Sequence, residues 1–131
     1  MEQLYDAAAA AGILVMEADL PRGEEGRYYE SHRCIVLNAG MTASRTISAF
    51  AHELGHASLR HGPALDARIH SRQERQADEY AARLLIDCAE FEEAERLYSS
   101  HTDTLAYHLG VTPKLIRVWR ELALRGNERI N

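Results

Sequence analysis

Two histidines with a glutamate between them, His52-Glu53-Leu54-Gly55-His56, lie in a segment where Ile47, Phe50, Ala51 and Leu54 recur at helical spacing. Residues four apart on a helix differ by about 40° around the axis and about 6 Å along it. His52 and His56 therefore share one face, and their imidazoles can reach one ion. Thr42 or Ser44 is placed to cap this helix, which is expected to run to about Arg60. Either this is a helix that merely carries two histidines, or a further element brings a third ligand to them.

Zinc takes imidazole nitrogen readily, and a catalytic zinc has three protein ligands and one open position for water. Glu53, next to the first histidine, is within reach of that water as a general base, the usual meaning of H-E-x-x-H on a helix. Gly55 is costly inside a helix, which marks a close approach by another element.

The candidate third ligand is Glu74, in "ERQADEYAARLL", on a second helix expected over about Arg72–Asp87. Asp78, four residues on, shares its face and suits the carboxylate that a metal-bound imidazole uses to fix its tautomer. The bland alternative is two solvated acids on a surface helix. His61 is a rival ligand, but the three-histidine pattern H-E-x-x-H-x-x-G-x-x-H needs glycine at 59 and histidine at 62. This chain has Leu59 and Gly62 there.

"AFAHELGHASLRH" followed by "ERQADEYAARLLI" resembles the ImmA/IrrE-type zinc metallopeptidases, in which H-E-L-G-H precedes E-x-x-A-(D/N)-x-F-A. The match runs over roughly residues 35–87. The resemblance implies one zinc per chain held by His52, His56 and Glu74, with Glu53 as general base and Asp78 supporting a ligand histidine. It also implies the family's substrate class, helix-turn-helix repressors, cleaved to relieve repression in bacteria, phages and mobile elements. Two departures stand out: Tyr80 replaces the usual phenylalanine, and "LLID" replaces L-L-M-P.

The remainder predicts an α+β zincin-like domain over 1–100 and a helical extension over 101–131. A first helix over 2–11 ends at Gly12. Strand-like runs at Ile13–Met16, Tyr28-Tyr29 and Ile35–Leu37 predict a small, mostly antiparallel sheet. Residues 61–71 read as an irregular segment. On the second helix, Ala77, Ala81 and Leu84 are expected between helices. Cys34 and Cys88 are too few for a disulfide framework and read as reduced thiols. No basic leader and no long apolar run are present, so a cytoplasmic protein is expected.

The net charge of −5 argues against a chain that coats nucleic acid over its whole surface. Residues 74–96 carry eight acids against three arginines, which reads as solvated helix faces. Residues 113–131 carry five bases (Lys114, Arg117, Arg120, Arg125, Arg129) against two acids. "TDTLAYHLGVTPKLIRVWRE" fits a helix-turn-helix pattern, with Gly110 at the turn and Thr112-Pro113 opening the second helix. Lys114, Arg117 and Arg120 are then candidates for phosphate contacts or substrate docking. A helical hairpin closing the core, with Trp119 as anchor, is the plain alternative. Three functions remain open: a peptidase acting on a repressor, a non-catalytic zinc-containing regulator of a repressor or DNA, and a DNA-binding module. Tyr80, His70, Tyr107 and His108 are candidates to stabilise an oxyanion.

Overall fold

The computed structural model describes residues 1–130, with side chains to Gly126; Arg129 of the basic stretch lies outside the described side chains. The elements in chain order are α1 (Glu2–Ala10), β1 (Leu14–Ala18), β2 (Gly26–Tyr29), a 3-10 turn (Glu30–His32), β3 (Cys34–Asn38) and α2 (Ala43–Ser58). Four helices follow: α3 (Ala67–Leu85), α4 (Cys88–Leu97), α5 (Thr102–Leu109) and α6 (Pro113–Ile130). The architecture is the expected α+β one.

The sheet is mixed, in the order β1-β3-β2, where a mostly antiparallel sheet was expected. β3 pairs parallel with β1 (Leu14↔Cys34 to Ala18↔Asn38) and antiparallel with β2 (Gly26↔Leu37 to Tyr29↔Cys34). The chain reverses twice, once after β1 and once at the 3-10 turn, so β1 and β3 point the same way. β3 carries the most apolar run, and Ile35 and Leu37 are wholly buried at the centre. β2 is left at an edge.

One core fills the space between sheet and α2. Leu4 and Ala8 of α1, Ile35 and Leu37 of β3, and Phe50 and Leu54 of α2 meet there. A second core joins Ala51 of α2 and Ala81 and Ala82 of α3 to Phe91, Leu105 and Ile116 of the last three helices and Val111 of the turn between α5 and α6. Trp119 stacks on Phe91 with ring centroids 4.2 Å apart. The second core therefore runs unbroken across residues 100–101. Gly110 ends α5 at φ 71°, the left-handed conformation that glycine enters without strain, and the Thr112 amide donates to Ser48 Oγ of α2 at 3.1 Å.

Two further expectations are corrected. Residues 67–71 are helical, because Asp66 Oδ1 accepts from the Ile69 amide at 2.9 Å and starts α3 early. Leu84 is 46% exposed, and Ala82 takes its place in the interior. The α2–α3 contact is correspondingly close. A Cβ on Gly55 would lie 3.0 Å from both Cα and O of Ala77 and 3.1 Å from Tyr80 Cβ.

Candidate metal centre

Thr42 caps α2, its hydroxyl accepting from the Arg45 amide, and α2 then presents His52 and His56 toward α3. The rings are edge to face, with centroids 4.8 Å apart. The glycine seam at Gly55 lets α3 approach until Glu74 Oε2 sits 3.0 Å from His52 Nε2 and 2.6 Å from His56 Nε2. The two Nε2 atoms are 3.1 Å apart. Tetrahedral donors about 2.0–2.1 Å from one ion lie roughly 3.3 Å from each other. The triangle, with sides of 2.6–3.1 Å, is somewhat smaller and opens by a few tenths of an ångström to admit an ion.

The donor chemistry fits a cation. Asp78 Oδ1 lies 2.7 Å from His52 Nδ1, so that nitrogen carries the hydrogen and donates it. In the neutral ring, Nε2 is then a lone pair aimed at a carboxylate oxygen and at a second imidazole nitrogen. Lone pairs converging in this way repel unless positive charge sits among them. A proton answers the same demand: burial opposes the charged ring of His52, but the bonds to Asp78 and Glu74 outweigh it and push His52 up to about 10. The bonds from His52 and His56 hold the Glu74 carboxyl far below the usual carboxylate range. Burial works against Asp78 ionising, yet His52 and Lys114 keep it below its ordinary value. His52, His56 and Glu74 are thus a group that can hold one metal ion.

Glu53 turns from α2 toward β2 and is 6% exposed. Burial raises its carboxyl above the ordinary value, opposed by the charge of His52 and His56. Space for it depends on Gly26, where a Cβ would lie 3.1 Å from Glu53 Cγ and 3.2 Å from Oε2. Glu53, His56 and Glu74 line a cleft of about 600 Å³, bounded on one side by Gly26–Ser31 of the edge strand and its turn.

A profile of the M78 peptidase family, described as an IrrE N-terminal-like domain, matches residues 8–118. The chain belongs to this family. No curated protein matches it. Among solved structures, a Mycobacterium tuberculosis transcriptional regulator superposes with a TM-score of 0.66 at 20% identity, over 88% of this chain. At that identity the likeness shows the fold alone, and the chain spans 39% of the regulator's length. M78 membership places the His-His-Glu group in a metallopeptidase-type family.

The other expected residues are dispersed around this M78 fold. His70 lies one turn before Glu74 and lines the cleft. Tyr80 bonds Ser58 across the α2–α3 seam, Tyr107 is 82% exposed, and His108 stacks on Tyr98. Lys114 Nζ lies 3.3 Å from Asp78 Oδ2. Arg120 bonds Thr102 Oγ1 and the Ser100 carbonyl, tying α6 to the loop before α5. Arg117 is exposed. His61 stands behind His56, with its Nδ1 2.9 Å from His56 Nδ1. Among the described residues, no helix is long and apolar enough to cross a membrane.

Three contributors escaped the sequence reading. Gly26 makes room for Glu53, Lys114 reaches the carboxylate behind His52, and Gln76 Oε1 sits 2.9 Å from His61 Nε2. The partner of Gly26 depends on how β2 lies against α2. Lys114 stood in view as a phosphate contact.

Proposed function

We propose that the chain is a zinc-dependent endopeptidase whose substrate is a helix-turn-helix repressor in the cytoplasm. The observation that carries this reading is the convergence of His52 Nε2, His56 Nε2 and Glu74 Oε2 within 3.1 Å of one another, beside the buried carboxylate of Glu53. Zinc held there supplies a Lewis acid for the scissile carbonyl and lowers the pKa of water toward neutrality. His52 and His56 give lone pairs, and Asp78 holds His52 in the tautomer that does so. Glu53 takes a proton from the attacking water as its oxygen bonds the carbonyl carbon. The same carboxyl then delivers the proton to the amide nitrogen as the C–N bond breaks.

An extended peptide suits the cleft, because β2 is an edge strand with unpaired backbone groups along that side. The repressor as substrate is supported by the family resemblance, and the fold's likeness to a transcriptional regulator is compatible with such a role. A DNA-binding reading gains less support, since Lys114 and Arg120 are engaged within the chain. The second reading, a non-catalytic zinc-holding regulator, separates on one variant. Glu53→Gln retains all three donors, so it keeps zinc and abolishes cleavage of a repressor encoded beside the gene. A Glu53→Gln chain that still cleaves it refutes Glu53 as base. A variant that relieves repression as fully as wild type without cleavage supports the regulator.

A further inference from the structure

Behind the second histidine, three side chains form a one-way hydrogen-bond relay. His56 Nδ1 lies 2.9 Å from His61 Nδ1, and His61 Nε2 lies 2.9 Å from Gln76 Oε1. The amide oxygen of Gln76 only accepts, so His61 Nε2 carries the hydrogen. In the neutral ring His61 Nδ1 is then a lone pair, and His56 Nδ1 is the donor to it. That leaves His56 Nε2 as the lone pair facing Glu74 and His52. This one assignment of protons satisfies both contacts of His61.

The backbone brings His61 to this place. The His61 amide donates to the His56 carbonyl at 2.9 Å and the Arg60 amide to the Ala57 carbonyl at 3.2 Å, the bond pattern of a Schellman helix end. Arg60 occupies the left-handed position, at φ 57°, that glycine usually takes. Arg33 from the sheet side bonds the Ala57 carbonyl at 2.9 Å and braces the same turn. The chain therefore doubles back over the last turn of α2, and the ring of His61 packs edge to face on His56 with centroids 5.2 Å apart.

We propose that His61 is a positioning residue of the metal centre, which fixes His56 as its Nδ1–H tautomer and aims Nε2 at the ion. His56 then has its own holder, as His52 has Asp78, with an imidazole in place of the carboxylate. His61 is not a fourth ligand in this arrangement, because both its ring nitrogens are committed, to His56 and to Gln76. The inference rests on the metal reading of His52, His56 and Glu74.

The test uses the full chain with zinc chloride, in two measurements. Ring nitrogen-15 spectra of the zinc-loaded wild type are expected to show His56 protonated at Nδ1 and His61 at Nε2. Chelator competition is expected to show His61→Ala binding zinc about 10–100-fold more weakly. His61→Gln, whose amide accepts from one side and donates to the other, should bind within about threefold of wild type. A His61 ring carrying its proton on Nδ1, or a His61→Ala chain that binds zinc as tightly as wild type, overturns the proposal. The spectra decide even where His61→Ala does not fold. A wild type that binds no zinc overturns the metal reading as well, whereas equal binding by wild type and His61→Ala overturns only the role of His61.

Discussion

Gly55→Ala probes the step on which the whole site depends, the approach of α3 to α2. Two effects oppose. Alanine is favoured over glycine inside a helix by up to about 1 kcal/mol. Against this, the new methyl would sit 3.0 Å from Cα and O of Ala77 and 3.1 Å from Tyr80 Cβ, inside ordinary contact distance. Two of the three atoms met belong to the α3 backbone, so no side-chain rotation relieves the clash. Overpacking of this kind costs about 1–3 kcal/mol. We expect the steric cost to win, with a net loss of about 1–2 kcal/mol and a fall in Tm of roughly 3–8 °C. In the zinc-loaded chain, where each donor is held at a fixed distance from the ion, pushing the helices apart by a few tenths of an ångström also moves Glu74 away from the histidines by more than the about 0.2 Å that metal sites tolerate. Zinc affinity should fall about tenfold, read by chelator competition beside thermal melts. A variant that melts higher than wild type and binds zinc equally would refute the claim that Gly55 sets the helix spacing.

Further outcomes follow from the same geometry. His52 is held protonated up to about 10 by Asp78 and Glu74 in the ion-free chain, so a bound ion must displace that proton at pH 7. Calorimetry in buffers of differing ionisation enthalpy should show at least about one proton released per zinc, with affinity rising as pH rises from 6 to 8; affinity independent of pH contradicts this. Gly26→Ala places a methyl 3.1–3.2 Å from the Glu53 side chain and should displace it, slowing cleavage about tenfold or more while zinc affinity stays within about twofold of wild type. Equal loss of both would mean that the change reaches the metal ligands.

Much of the site was legible because helical periodicity alone sets which residues share a face. His52 and His56, and Glu74 and Asp78, are such pairs, and Gly55 showed by its cost that something comes close. What escaped depends on geometry beyond one helix. α3 begins five residues earlier than expected because Arg68, His70 and Ser71 in its first turns carry no apolar period, leaving only the Asp66 cap as a signal. His61 follows His56 by five residues, outside helical pairing, and reaches it only through the left-handed turn at Arg60. The sheet's register decides that Gly26 faces Glu53, and the packing of α6 against α3 decides that Lys114 meets Asp78. Periodicity also misjudged Leu84, since the interface selects small residues, and Ala77, Ala81 and Ala82 fill it.

The central claim, that two histidines of α2 and one glutamate of α3 hold a single ion, is tested most directly by the metal content of the purified chain at equilibrium with zinc. The expected result is about one zinc per wild-type chain and a loss of binding by about a hundredfold or more in Glu74→Ala, with the fold retained by circular dichroism. A wild-type chain without zinc, or a folded Glu74→Ala chain that binds it as tightly as wild type, would contradict the account.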